Sequence, residues 1–318
     1  MAATTAEMVP GSGGEESPRW IRAQGMLAKE LRGRMRGARA FVVLTIYLLF
    51  LTSFTLLLYF IAKLSVSSNP TTPAGKVVFL GLVAFQLGLV CFLAPSFTAG
   101  SISGERERQT YDLLMTTPLS LPLIVAAKLF SALAYVFLLI IAALPLMSVS
   151  LFLGGVAPEE VLIAFVMLCS SALAFGTIGL CFSAWVRSTI GAAALAYGTM
   201  LLPVVALPIV AGAAFSSLAI AFQNSSMSNT TQNILYYVGG FALSLNPFIA
   251  GGLTEAIIIS NRSLFFHTMP GPGGGTVWVV GPWLIYTVMA LIFSVLFFLL
   301  TLRLARPTRT SRRKPQAA

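Results

Sequence analysis

Six long apolar runs constrain this chain more than any other feature, because each is about as long as the 20 residues that an α-helix needs to cross a bilayer. Hydrophobic residues make up 57% of the 318 residues, and charged residues only 9%. That balance leaves too few charges for the surface of a water-soluble globule. We therefore predict an all-α integral membrane protein. Its six transmembrane helices would cover residues 41–62, 77–98, 129–153, 161–186, 190–215 and 279–302.

The two ends of the chain differ from this apolar centre. Residues 1–18 are rich in Gly, Ser, Ala and Glu and are predicted to be disordered, whereas residues 303–318 form a basic tail. The transmembrane domain then covers residues 19–302. Within it, residues 19–39 place apolar side chains at helical spacing and basic ones largely on other faces, which predicts an amphipathic elbow helix on the membrane surface. This helix either only anchors the chain or also contacts a cytoplasmic partner. Its characteristic residues are Trp20, Leu27, Lys29 and Leu31.

The distribution of basic residues predicts the orientation. With the N-terminus in the cytoplasm, seventeen of the 20 Lys and Arg residues fall on the cytoplasmic side, and only Lys63, Lys76 and Arg262 fall outside. Because basic residues are retained on the cytoplasmic side, we expect a multi-pass protein of the plasma membrane with both termini in the cytoplasm. Anionic membrane lipid accounts for the net charge of +10, so no nucleic-acid partner is expected.

A further apolar run, residues 234–259, is long enough to cross the membrane but does not fit this orientation. A seventh crossing would place the basic C-terminal tail outside. Asn246-Pro247 interrupts the run, and Glu255 lies in its second half. These features predict a broken segment that is re-entrant from the outer side or lies at the interface. Such a segment either merely caps the bundle or forms an outer gate with Asn246, Pro247 and Glu255.

The densest polar segment between the two ends is residues 104–118. Each charge at a bilayer centre costs about 2.5 to 3.5 kcal/mol, so the four consecutive charges at residues 105–108 must lie outside the hydrocarbon. A helix can begin at Ser103 or Gly104 and end before Pro118, because the residue before a proline is steered away from helix. The pattern predicts one short helix across the cytoplasmic face, between spans 2 and 3.

Three groups of residues in this sequence are similar to motifs of a known family. Together they resemble the type-2 ABC transporter permeases, and the resemblance extends over nearly the whole arrangement of spans. The groups are Gly-Glu-Arg-Glu-Arg-Gln-Thr at 104–110 followed by Leu113-Leu114, Thr117-Pro118 and Lys128; Lys29-Glu30-Leu31; and Leu245-Asn246-Pro247-Phe248.

The resemblance implies that the segment after span 2 is a coupling helix, which docks on a nucleotide-binding subunit. It further implies a separate ATPase subunit that holds ATP and Mg, a second permease chain, and outward transport driven by alternating access. The residues assigned to coupling in this way are Glu105, Arg106, Glu107, Thr110, Leu114 and Pro118.

Motifs for chemistry on the chain itself are missing from the sequence. No Gly-x-x-x-x-Gly-Lys-[Ser/Thr] motif occurs, so the chain is not the ATPase, and we expect neither catalytic residues nor a cofactor or metal on it. His267 is the only histidine. Two other interpretations stay open, a secondary transporter outside the ABC class and a membrane scaffold that transports nothing. A secondary transporter usually carries several ionisable groups within its spans, whereas we expect Glu255 alone near membrane depth.

Overall fold

The computed structural model describes residues 38–68, 73–111, 120–224, 229–261, 263–270 and 276–306. The predicted elbow residues Trp20, Leu27, Lys29 and Leu31 lie outside this part of the chain, as do Leu114 and Pro118. The helices are α1 (Ala38–Ser68), α2 (Ala74–Ala99), α3 (Ser103–Glu107), α4 (Leu121–Phe152), α5 (Pro158–Trp185), α6 (Thr189–Leu201), a π-helical segment (Leu202–Ala206), α7 (Leu207–Asn224), α8 (Asn229–Ser244), α9 (Pro247–Asn261) and α10 (Pro282–Leu304).

Among the described residues, six helical runs are long and apolar enough to cross a membrane, which confirms the predicted number of spans. Five are α1, α2, α4, α5 and α10, and the sixth is α6 continued through the π-helical segment into α7. A helix satisfies its own backbone hydrogen bonds, as hydrocarbon requires. The chain is therefore a multi-pass membrane protein. Following the predicted orientation, we call the end of the bundle that carries residues 101–111 the inner end, and the opposite end the outer end.

Helix α5 occupies the centre of the bundle. It packs against α2, α4, α6 and α10, and it is the most deeply buried of the six spans. Two glycines allow this close packing. A Cβ at Gly179 would lie 2.2 Å from the Thr98 Oγ1 atom and 3.0 Å from the Pro95 Cα atom, and one at Gly176 would lie 2.7 Å from a Leu133 methyl carbon. By contrast, α1 packs on α2 and α4 at the periphery, with most of its apolar side chains exposed.

A two-stranded hairpin interrupts the helical architecture at the outer end. Strand β1 (Phe266–Pro270) pairs antiparallel with β2 (Thr276–Val280). The sequence prediction placed the last span from residue 279, and this boundary is wrong because Val279 belongs to β2 and α10 begins at Pro282. Residues 277–280 are β-branched or aromatic, which suits a strand, and Pro282 suits the first turn of a helix.

Helices α8 and α9 form the predicted broken segment. Their directions differ by 119° at a break of two residues, Leu245 and Asn246, so the predicted interruption at Asn246-Pro247 is confirmed. Helix α9 packs mainly on α10 and α8. The pair therefore forms a V, and Asn246 at its turn contacts span 5. We call α8 and α9 the V-segment.

Candidate functional site

Ser183, buried near the inner end of α5, fixes the connection between α2 and α3. Its Oγ atom accepts hydrogen bonds from the backbone N–H groups of Ile102 and Ser103, each at 2.9 Å. A buried N–H group without an acceptor is costly, so this one hydroxyl holds the end of span 2 against span 4. It belongs to what we call the inner junction, which is residues 101–111 with Lys128, Ser183, Ala184, Thr189 and Ala305.

Glu105 forms an ion pair inside the same chain. Its Oε1 atom lies 2.5 Å from the Nζ atom of Lys128 on α4, and that Nζ also donates to the Ser101 carbonyl at 3.1 Å. Only 5% of the Lys128 side chain is exposed, against 28% for Glu105. A buried ammonium group needs such acceptors. The pair therefore ties α3 to span 3.

The next two residues of α3 bind spans 4 and 5. Arg106 donates from Nη1 to the Ala184 carbonyl at 2.6 Å, near the end of α5. Glu107 accepts from the N–H and the Oγ1 of Thr189, each at 2.7 Å. Because Thr189 is the first residue of α6, the carboxylate caps an otherwise unsatisfied N–H group and faces the positive end of the helix dipole.

A second link follows where α3 ends. The Thr110 N–H bonds to the Glu105 carbonyl at 2.9 Å, the Gln109 N–H bonds to the Arg106 carbonyl at 3.2 Å, and Gln109 has a φ of 57°. These features form a Schellman motif, which ends a helix. The Tyr111 hydroxyl then donates to the carbonyl of Ala305, the residue after α10, at 2.6 Å.

The prediction of one continuous helix between Ser103 and Pro118 is therefore wrong, because α3 ends at Glu107. Helical backbone resumes at Tyr111, beyond which residues 112–119 lie outside the described part of the chain. The sequence did not indicate this end, since glycine is the usual residue at the left-handed position and here it is Gln109.

Four of the six predicted coupling residues lie in the described part of the chain, and three of these four contact spans of the same chain. Glu105, Arg106 and Glu107 direct their side chains at spans 3, 4 and 5 of the same chain. Glu107 is nevertheless exposed, as are Thr110 and the neighbouring Arg108 and Gln109, which were not among the predicted residues. Sequence reasoning missed the intramolecular partners on α5 and α6. A signal was present at the inner ends of these spans and in the loop between them, where Ser183, Arg187, Ser188 and Thr189 interrupt the apolar sequence.

Three ionisable side chains meet at the outer end, and we call Lys76, Glu160 and Glu255 the outer triad. The Lys76 Nζ atom lies 2.8 Å from the Glu160 Oε2 atom and also pairs with Glu255 Oε1. They come from α2, α5 and α9, and no more than 7% of any of the three side chains is exposed. The expectation that Glu255 alone approaches membrane depth is therefore wrong. The sequence places Lys76 and Glu160 each at the outer start of a predicted span. This shared position could have indicated that the two side chains lie at the same level of the bundle.

Asn246 lies at the turn of the V-segment, and both the nitrogen and the oxygen of its side-chain amide form hydrogen bonds. Its Nδ2 donates to the carbonyls of Pro203 and Val204 at 2.9 and 2.8 Å, and its Oδ1 accepts from the Phe248 and Ile249 N–H groups at 2.9 and 3.0 Å. Pro208 lacks the N–H group that would donate to the Val204 carbonyl in an α-helix or to the Pro203 carbonyl in a π-helix.

This contact places the turn of the V-segment beside the middle of span 5, which runs from Thr189 to Ala214. At the other end of the segment, Ile259 of α9 lies by Lys76 and Glu160 at the outer end. The V-segment therefore dips into the bundle from the outer end instead of lying flat across it. The position of this segment relative to the membrane, re-entrant or interfacial, stays a prediction.

An apolar cleft of about 560 Å³ lies beside this turn. Helices α5 and α10, together with the π-helical segment and its neighbours, form its walls, and Leu245 of the V-segment also lines it. Its lining includes Phe175, Leu202, Leu245, Tyr286 and Phe293. Such a surface suits apolar groups.

Comparison with known proteins adds one match to this geometry. The family model described as "ABC-2 family transporter protein" matches residues 25–300 of the chain. No curated protein matches the sequence.

Proposed function

This chain belongs to the ABC-2 transporter family, and on that premise we propose that it is the permease subunit of an ATP-driven exporter whose ATPase is a separate subunit. The family identifies the chain as the membrane component of an ABC transporter. The separate ATPase, which would hold ATP and Mg, is the partner that the missing nucleotide-binding motif requires. A second permease chain would complete the pathway, because six spans form half of the usual transmembrane unit in the family that the sequence resembles.

The inner junction is the observation that carries this proposal. Within eleven residues, 101–111, the chain binds the inner ends of α4, α5, α6 and α10. A displacement of this segment would act on four spans together. A force applied to residues 101–111 would therefore reach α4, α5, α6 and α10.

Arg108, Gln109 and Thr110 form the exposed edge of the inner junction. We assign the contact with the ATPase subunit to this edge and to the residues that follow it. In this arrangement, the ATPase touches the exposed edge, while Glu105, Arg106 and Glu107 pass the motion to the spans. ATP shifts the permease between its states only by favouring one position of the edge over the other.

Capture of the ATPase subunit tests the proposal. The subunit is sought as an adjacent reading frame with a Walker A motif, coexpressed with the permease, and purified through a tag on the permease. Arg108→Glu should reduce its capture at least about tenfold, as for a central charged interface residue. Arg303→Glu, an exposed arginine in the last turn of α10, is the matched control and should leave capture unchanged.

Transport in proteoliposomes separates the remaining functions. ATP-dependent transport by the captured complex supports the permease assignment. Transport that follows an ion gradient without the ATPase would support a secondary transporter instead. A chain that captures no ATPase subunit and transports nothing would instead be a membrane scaffold.

A further inference from the structure

Lys76 and Glu160 of the outer triad lie where several elements pack tightly together. These elements are the start of α2, the end of α4 with the loop after it, and the first turn of α5, and we call them the platform. The start of α2 lies so close to the loop between α4 and α5 that a Cβ at Gly75 would be 2.2 Å from the Gly154 carbonyl oxygen and 2.5 Å from that of Ser150. Lys76 follows Gly75 directly, and Glu160 lies in the first turn of α5, just after this loop. Backbone contacts of this kind leave little room for relative movement. The Lys76–Glu160 pair is therefore built into the platform.

The third member, Glu255, lies on α9, which is attached more to α10 than to the platform. The Trp283 N–H group at the start of α10 donates to the Oγ1 atom of Thr254 on α9 at 3.0 Å. Helix α9 packs mainly on α10 and α8 and only sparsely on α2 and α5. A Cβ at Gly251 or Gly252 would meet nothing within 4 Å. The ion pair between Lys76 and Glu255 is thus a principal tie between the V-segment and the platform. Asn246 holds the other end of α9 against span 5.

The surroundings of the triad favour reversible separation of its charges. A groove of about 600 Å³ runs beside it, lined by Lys76, Glu159, Glu160 and Ile258 among others. Of these, Glu159 is exposed to solvent. Water in the groove can hydrate Lys76 and Glu255 once they part, which removes much of the penalty for breaking a buried pair.

We infer that Lys76 is a positioning residue of an outer gate, joined permanently to Glu160 and releasably to Glu255. Release of Glu255 allows α9 to move away from the platform, while the Asn246 contact and the Thr254–Trp283 hydrogen bond still attach it to span 5 and to α10. Leu245, at the turn of the V-segment, lines the apolar cleft. Movement of the V-segment therefore changes the outer boundary of that cleft. The release itself is independent of the proposed function, whereas its role as a gate rests on that function.

Hydrogen–deuterium exchange on the full chain in lipid nanodiscs tests the release. Glu255→Gln should raise the exchange rate of amides in residues 249–261 at least about tenfold, because the ion pair no longer holds α9. Glu160→Gln keeps the Lys76–Glu255 pair and should change these amides less than about threefold. Glu159→Gln, the exposed neighbouring glutamate, is the matched control and should leave them as in the unsubstituted chain.

The fully charge-reversed variant Lys76→Glu/Glu160→Lys/Glu255→Lys guards against loss of folding in the single variants, because it keeps opposite charges in both pairs of the triad. It should return exchange towards that of the unsubstituted chain. Equal exchange in Glu255→Gln and the unsubstituted chain would overturn the inference. An equal rise in the exchange of residues 249–261 in Glu160→Gln and Glu255→Gln would also overturn it, since the two carboxylates would then have the same role.

The gate role is measured in proteoliposomes with the ATPase subunit. Glu255→Gln should raise the number of ATP molecules hydrolysed per molecule transported, whereas Glu159→Gln should not. A purely structural role would lower both activities together and leave this ratio unchanged, which would overturn the gate. If the unsubstituted complex hydrolyses no ATP while the exchange results hold, the release stands and the proposed function fails.

Discussion

At the scale of single residues, ionised and polar side chains hold together the inner ends of different spans. Glu105 and Lys128 are the clearest pair, because they join α3 to α4 at 2.5 Å with the ammonium group buried. The resemblance to the permease family singled out both residues. It assigned Glu105 to docking on the ATPase subunit, and that assignment stays a prediction. The side-chain contact with Lys128 is a feature of the chain alone.

Removing the charge of Glu105 should destabilise the chain. Glu105→Gln leaves the buried Lys128 without its carboxylate, and we expect the free energy of unfolding to fall by about 1 to 3 kcal/mol. Thermal unfolding in detergent measures this loss. The reversed pair Glu105→Lys/Lys128→Glu should recover part of it, whereas a reversed pair less stable than both single variants would contradict a direct interaction.

Ser183 offers a test that involves no charge. Ser183→Ala removes the acceptor of two buried N–H groups, so unfolding free energy should fall by about 1 to 3 kcal/mol for each group left unsatisfied. Ser148→Ala is the matched control, because the Ser148 hydroxyl bonds only to the Leu144 carbonyl of its own helix. Equal melting temperatures of the two variants would contradict the role of Ser183.

At the scale of elements, the turn of the V-segment and the π-helical segment depend on each other. Asn246-Pro247 predicted a break in the apolar run, and the break is confirmed. The sequence did not reveal that the same asparagine supplies donors to span 5. This partnership depends on Pro208, which lies 38 positions away from Asn246 and provides no N–H group for the Val204 or the Pro203 carbonyl.

Asn246→Asp separates the two functions of the Asn246 side chain. A carboxylate still accepts from the N–H groups of Phe248 and Ile249 but cannot donate to Pro203 and Val204. We expect a lower melting temperature, and a smaller loss when Pro208→Ala restores an N–H donor in the same chain. Strictly additive effects of the two substitutions would contradict the partnership, because independent sites add.

Substitutions of Gln109 test whether its left-handed backbone conformation ends α3. A non-glycine residue in the left-handed region costs about 1 to 2 kcal/mol, so Gln109→Gly should stabilise the chain by roughly 1 kcal/mol. Gln109→Val should destabilise it, because a β-branched side chain fits this backbone poorly. Thermal unfolding of both variants measures the difference, and equal melting temperatures would contradict the Schellman motif.

At the scale of the whole molecule, the number of spans followed from the sequence, but their arrangement did not. Apolar length predicts a spanning helix, whatever its neighbours. The central position of α5 depends on contacts such as that of Gly179 with Pro95, which no local pattern specifies. The outer triad likewise joins residues up to 179 positions apart, from Lys76 to Glu255. The hairpin β1–β2 escaped prediction because its strands are short and flank a glycine-rich stretch.

We propose that the inner junction passes motion from the ATPase subunit to the spans and on to the outer end. Spin labels report this motion when attached through Phe152→Cys, at the outer end of α4, and Gly252→Cys, on α9. Both positions are exposed. The labels are placed in a background in which the native Cys91, Cys169 and Cys181 are replaced.

The decisive measurement is the distance between these labels in nanodiscs with the ATPase subunit, without nucleotide and with ATP and vanadate. With an intact junction, we predict that trapping the ATPase shifts the distance distribution, and that the double variant Glu105→Gln/Arg106→Gln loses the shift although it still hydrolyses ATP. The same shift in that double variant would contradict transmission through the inner junction.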